Sequence, residues 1–207
     1  MTPLRAALAL ATVLFGLAFR GPRAAFWDRM TVTGLALGGL ALASDPELRR
    51  LRFRARDVLL GLLSAAGLYV LFRAGDRFAR AFVPGGGRQI GEIYALRTVR
   101  PAAEIGTRLA TVIGPAEELF WRGFVQRRAG YVPATLAYGG VHLASANFTL
   151  IGAASIAGGY WGLLRALGLS MEALIVSHIA WDIWIFLVAP TSPVAVAAPT
   201  PGERGPA

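Results

Sequence analysis

The chain has 207 residues, of which 55% are hydrophobic and 16% charged, and its mean hydropathy is +0.53. A soluble domain carries about 25% charged residues, so this balance argues against one and points to a single membrane-embedded domain. Cysteine is absent, which excludes disulfides, a thiolate nucleophile and any cysteine-ligated metal.

The net charge is +9, and all 21 basic residues are arginine. The absence of lysine reads as codon bias and carries no function. Anionic lipid head groups and nucleic acid are the two candidate partners of the positive charge. The arginines sit mainly between apolar segments, which favours membrane lipids. Basic residues interleaved with exposed aromatics, the pattern of a nucleic-acid surface, are not seen, so no nucleic-acid partner is expected.

A spanning helix needs about 20 mainly apolar residues. The first candidate is 4–19, ended by Gly21-Pro22. Arg5 before an apolar stretch also fits a signal peptide, but Arg20-Gly21-Pro22-Arg23 offers no small-x-small cleavage site, so an uncleaved helix is expected. The second runs over 26–43. Residues 45–57 form a charged loop with Arg49, Arg50, Arg52, Arg54 and Arg56, which leans to the cytoplasmic face. The third helix is expected at 58–72 and a polar connection at 73–88. Pro84-Gly85-Gly86-Gly87 lacks the Gly-Lys-Ser/Thr ending of a phosphate loop and reads as a turn. Residues 90–100 have a mixed, interfacial character.

The fourth helix is expected over 102–128, kinked at Gly114-Pro115 because proline lacks a donor and clashes with the preceding turn. The fifth covers 133–145, the sixth 150–167 and the seventh 171–188. Ser170 suits the N-cap of the seventh, and Pro190 stops it. The tail 190–207 is rich in Pro, Ala and Gly and reads as disordered. The expected fold is all-α, a polytopic transmembrane helix bundle of about seven spans. It forms one integral membrane domain over 1–189 with a motif-bearing core at 102–189, multi-pass in the cell membrane.

Ionisable residues stand inside these apolar helices. Glu117, Glu118 and Arg122 lie in the fourth, His142 in the fifth, and His178 and Asp182 in the seventh; the chain has no other histidine. A charge at mid-membrane costs about 2.5–3.5 kcal/mol on insertion scales. Groups this costly are kept where they pair, face a wet cavity or act. Residues four apart share a helix face, so Glu118 can pair with Arg122 while Glu117 projects about 100° away. Tyr138 and His142 share a face, as do His178 and Asp182. Taken singly, each has a structural reading. The Glu–Arg pair can be only a brace, the histidines can hydrogen-bond neighbouring helices, and Asp182 can pair with Arg165 or Arg108. Together they are the components of acid–base hydrolysis. Glu172, Glu104 and Asn147 read as helix-end residues. Ser145 and Ser177 have no triad around them.

Glu-Glu-x-x-x-Arg (Glu117, Glu118, Arg122), aromatic-x-x-x-His (Tyr138, His142) and His-x-x-x-Asp (His178, Asp182) together resemble the three-motif signature of the CPBP family. This is the family of intramembrane proteases related to CAAX-processing enzymes and bacteriocin-processing or self-immunity proteins. The resemblance covers 115–183. It implies a helical intramembrane endopeptidase in which Glu117 and His142 activate water, His178 and Asp182 stabilise the oxyanion, and Arg122 positions the carboxylates, chiefly Glu118. Its substrate would be a peptide or membrane-associated protein, processed in the CAAX or bacteriocin manner. A non-catalytic immunity or scaffold protein and a proton-coupled carrier are the competing readings. The chain departs from the family at Tyr138, where phenylalanine is frequent and where a hydroxyl could join the polar cluster. It departs again at Asp182, where the CAAX-processing enzymes typically have asparagine. An aspartate there can be protonated, orient His178 or bind a metal. The cofactor stays open, because two histidines plus carboxylates could hold zinc while the His-Glu-x-x-His arrangement is absent.

Overall fold

The computed structural model of the protein describes residues 2–190. From residue 191 onward, the expected tail lies outside the described residues. Among the described residues there are helices, turns and loops but no strands, and the architecture is an all-α membrane helix bundle.

Helix α1 is Pro3–Arg20. Thr2 caps it by accepting from the Arg5 amide, and Pro3 occupies the first turn, where its missing N–H costs nothing. Helix α2 is Phe26–Ser44, followed by a short turn of helix at Pro46–Arg49 that Asp45 caps. Helix α3 is Ala55–Phe82. It corrects the expectation of a polar connection from residue 73, since it continues ten residues past the expected end. Asp76 and Arg80 support that extension as an i,i+4 ion pair at 3.0 Å. Ala79 is buried while Arg73, Arg77 and Arg80 stay exposed, so the segment is amphipathic rather than irregular. The chain turns only at 83–85, where Gly85 adopts φ 70°. Helix α4, Gly86–Tyr94, follows and runs into a 3-10 turn at Ala95–Thr98.

Helix α5 covers residues 102–129 without a break but with two wide, π-helical stretches, Leu109–Ile113 and Leu119–Val125. In the first, the Gly114 amide bonds back five residues to the Leu109 carbonyl. Pro115 follows at once, so the expected kink is realised as a local widening of the helix. Helix α6 is Tyr131–Val141 and tightens into a 3-10 turn at His142–Ser145. It starts two residues before the expected Pro133, after Gly130 at φ 87°. Helix α7 is Phe148–Ala166, capped by Asn147, and helix α8 is Met171–Ile183, capped by Ser170 and extended by a π-helical turn at Trp184–Val188.

Pro3–Arg20, Ala55–Phe82 and Met171–Val188 are long and apolar enough to cross a membrane by length and composition. The remaining helices of the expected seven are shorter or more polar and pack among these three. Helices α3 and α8 run parallel and in register. Gly61 faces Ala173 and Val176, Ser177 Oγ donates to Ser64 Oγ at 3.0 Å, and the Phe72 and Trp181 rings meet edge to face at 4.7 Å.

One apolar core joins α1, α2, α5, α6, α7 and α8, with Phe15, Phe120, Trp121, Phe124 and Trp161 among its largest buried rings. Close backbone approach makes this possible beside the glutamates. A Cβ at Gly38 of α2 would lie 2.9 Å from the Ala116 Cβ, inside normal contact, so glycine lets α2 press against the residue preceding Glu117.

Candidate active site

Glu117 and Glu118 sit in the short α-helical stretch Gly114–Glu118 between the two π-helical stretches of α5. Such widenings re-aim side chains and recur at functional sites. Both glutamates are buried, Glu118 completely, and they face different partners.

Glu118 is held from two sides. Arg122 Nη1 donates to Glu118 Oε1 at 3.0 Å, and His178 Nδ1 donates to the same oxygen at 2.8 Å. Arg122 Nη2 reaches the Gly158 carbonyl on α7 at 3.2 Å. The guanidinium also lies 4.7 Å from the Tyr138 ring centre and 5.5 Å from that of Trp161, so its charge is spread over a carboxylate, a carbonyl and two ring faces. Removing one partner of a buried ion pair costs about 3–5 kcal/mol, which makes this cluster a brace linking α5, α7 and α8.

Glu117 projects away from that brace, as the 100° step requires. Its Oε2 accepts from the Tyr138 hydroxyl at 2.8 Å, so Tyr138 is a member of the polar cluster. One turn later on the same helix, His142 Nδ1 donates to the Tyr138 carbonyl at 2.8 Å. A carbonyl only accepts, so Nδ1 carries the proton and Nε2 is left with a lone pair. Phe15 and Phe19 of α1 flank the His142 ring at 5.3 and 5.4 Å.

His178 is stacked on Trp161 with ring centres 4.1 Å apart and planes 18° from parallel. Its Nε2 lies 3.6 Å from Asp182 Oδ2, a charge contact longer than a hydrogen bond. Trp161 is itself fixed, donating from Nε1 to Ser177 Oγ at 3.0 Å.

Glu117, Tyr138, His142, His178 and Asp182 line one cavity of about 120 Å³, closed by apolar side chains that include Phe19, Trp27, Met30, Trp181 and Phe186. Glu118 and Arg122 stand behind it. The alternative partners considered for Asp182 are engaged elsewhere. Arg108 pairs with Asp28 and Glu104, each at 2.7 Å, and Arg165 donates to the Leu169 carbonyl. Glu104 and Asn147 act at helix ends, as expected, and Glu172 accepts from the Arg52 amide.

Among the described residues, no group of three or more His, Cys, Asp or Glu side chains is placed to hold a metal ion. Each imidazole is held through Nδ1, His178 by Glu118 and His142 by a backbone carbonyl, which leaves one ring nitrogen, Nε2, on each.

Sequence reasoning did not find Trp161, Phe15, Phe19 or the Gly158 carbonyl. Only the glycine pair Gly158-Gly159 carried a signal, as a place of close helix contact.

The fold and the cavity together define a class, that of helical membrane proteins with a buried cluster of Glu, His and Asp side chains. Residues 103–184 match the family model described as Type II CAAX prenyl endopeptidase Rce1-like. The matched segment contains all three motifs, from Glu117 to Asp182, and over this stretch the chain is similar to that endopeptidase family. The chain finds no match among curated proteins or among solved structures.

Proposed function

We propose that the protein is a multi-pass endopeptidase of the cell membrane that hydrolyses a peptide bond with water activated by Glu117 and His142. The observation that carries this reading is the division of labour between the two adjacent glutamates. Glu118 is consumed by Arg122 and His178, whereas Glu117 meets a single hydroxyl and opens on the cavity.

In this mechanism the peptide carbonyl enters the cavity between the Glu117–His142 side and the His178–Asp182 side. Glu117 takes a proton from water, with His142 Nε2 as the second acceptor facing the same space. The hydroxide adds to the carbonyl carbon. The oxygen that gains charge faces His178, whose ring is held by Glu118, Trp161 and the neighbouring Asp182, so the donor is preorganised. Collapse breaks the C–N bond, and the proton returns to the leaving amine. No acyl-enzyme forms, because the cavity lining holds no serine and the chain no cysteine. The substrate class is a membrane-associated peptide or protein, processed in the CAAX or bacteriocin manner.

The test compares peptides from membranes and medium of host cells carrying the wild type or Glu117→Gln at equal expression. New peptide termini should be present with the wild type and missing with the variant. Identical termini from both, with both proteins stably inserted, would overturn the reading in favour of a scaffold or carrier.

A further inference from the structure

A second feature lies at the opposite end of α8 from Asp182. A cavity of about 640 Å³ opens where α3 and α8 begin, lined by Arg50, Arg52, Arg54, Arg56, Asp57 and Glu172 above a floor of leucines. We propose that this is a binding site for the phosphate head group of an anionic phospholipid, with its acyl chains lying over that floor.

Charge is the first argument. Four arginines face two carboxylates in the lining. Both carboxylates are occupied locally: Asp57 accepts from the Ser170 hydroxyl at 2.7 Å and from the Arg54 amide at 3.1 Å, and Glu172 accepts from the Arg52 amide at 2.8 Å. Arg50 is drawn to Glu47, but Arg52, Arg54 and Arg56 form no ion pair among the described residues and are exposed. Exposed guanidinium groups with no carboxylate in direct contact suit a phosphate, which accepts several N–H bonds at once.

Placement is the second argument, and it selects a lipid over a soluble anion or an acidic protein. Two helices able to cross a membrane, α3 and α8, start together at this cavity and run away from it in parallel. The cavity is therefore at the level of head groups. Its floor of Leu60, Leu164, Leu167 and Leu169 continues into the exposed apolar side chains Leu59 and Leu63 of α3, and Phe53, also exposed, stands between Arg52 and Arg54 as an interfacial aromatic. A site with cationic groups at one end and a lipid-facing apolar slope at the other matches an amphiphile. Basic pockets between helices at the cytoplasmic face, where anionic lipids concentrate, bind such head groups.

The full-length protein, purified in neutral detergent, is titrated with phosphatidylglycerol or phosphatidylcholine, and bound lipid is counted by native mass spectrometry. Wild type should retain phosphatidylglycerol about tenfold better than phosphatidylcholine. The variant Arg52→Gln/Arg54→Gln/Arg56→Gln should lose the preference, and the control Arg73→Gln/Arg77→Gln should keep it. Circular dichroism checks that each variant stays helical. Should the triple variant unfold, Leu167→Asp on the exposed floor gives the same reading, with loss of the preference expected. Equal retention of the two lipids by wild type would overturn the proposal, as would a preference that survives both site variants. Inorganic phosphate displacing the lipid at equal concentration would make this an ion site instead. Displacement by a soluble poly-glutamate peptide but not by phosphate would make it a protein-docking site and overturn the lipid assignment.

Discussion

The Tyr138 hydroxyl donates to Glu117 across 2.8 Å and so ties the carboxylate of one motif to the helix that bears the histidine of the next. The bond fixes the direction in which Glu117 faces the cavity without neutralising it. Tyr138→Phe removes the hydroxyl but keeps the ring under Arg122 and edge to face with Trp121. Cleavage should fall about tenfold to a hundredfold, the worth of one hydrogen bond to a charged group, and the melting temperature in detergent should hold. A fall of a thousandfold in a peptide-release assay would mean that Tyr138 itself moves a proton.

In the proposed mechanism Arg122 braces rather than reacts. Replacing it with alanine leaves Glu118 buried beside His178 without its strongest partner and strips the Gly158 carbonyl of a donor. A loss of about 3–5 kcal/mol is expected, visible as a sharp drop in melting temperature and in the yield of monodisperse protein. Arg122→Lys restores a charge but not the fork, so it should recover part of the stability and little of the activity. Full stability in Arg122→Ala would refute the brace.

Packing at Gly158 gives a test that touches no ionisable group. A Cβ there would lie 2.6 Å from Tyr138 Cδ1, whereas one at the neighbouring Gly159 meets nothing nearer than 3.7 Å. Gly158→Ala should therefore cost about 1–3 kcal/mol by overpacking and move the tyrosine off Glu117, lowering both melting temperature and cleavage. Gly159→Ala should be neutral or slightly stabilising, since alanine is the better helix former. Equal behaviour of the two variants would show that α6 and α7 are not pressed together at Tyr138.

Much of this arrangement is legible in the residues themselves, and the reasons are geometric. The i,i+4 spacing places Glu118 with Arg122, and His178 with Asp182, on common faces whatever the tertiary structure does. The separation of Glu117 from Glu118 follows from the helical turn alone. What the spacing cannot carry is the partner on another helix. The stacking of Trp161 on His178 and the Gly158 carbonyl under Arg122 depend on how α7 docks, and a tryptophan or glycine in an apolar helix has many structural uses. The ten extra residues of α3 were hidden because hydropathy falls at Arg73 while helical amphipathicity does not. The π-helical stretches around the glutamates have no sequence pattern beyond Pro115.

Asp182 separates an orienting role from a donating one in the proposed mechanism. It lines the cavity and stands 3.6 Å from His178 Nε2, a position from which a carboxylate orients the imidazole through charge while an amide would donate directly to an oxyanion. If its task is to support His178, Asp182→Asn should remain active, because the amide oxygen can still face the ring and the amide nitrogen supplies a donor like that of the CAAX-processing enzymes. Asp182→Ala removes both and should slow cleavage about tenfold to a hundredfold. His178→Ala deletes the donor itself and should cost about 10²–10³ in rate, the range for losing one oxyanion contact. Peptide-release rates for the three variants at matched expression check the order. An inactive Asp182→Asn beside an active His178→Ala would reverse the assignment and make the carboxylate, not the imidazole, the group that meets the reacting peptide.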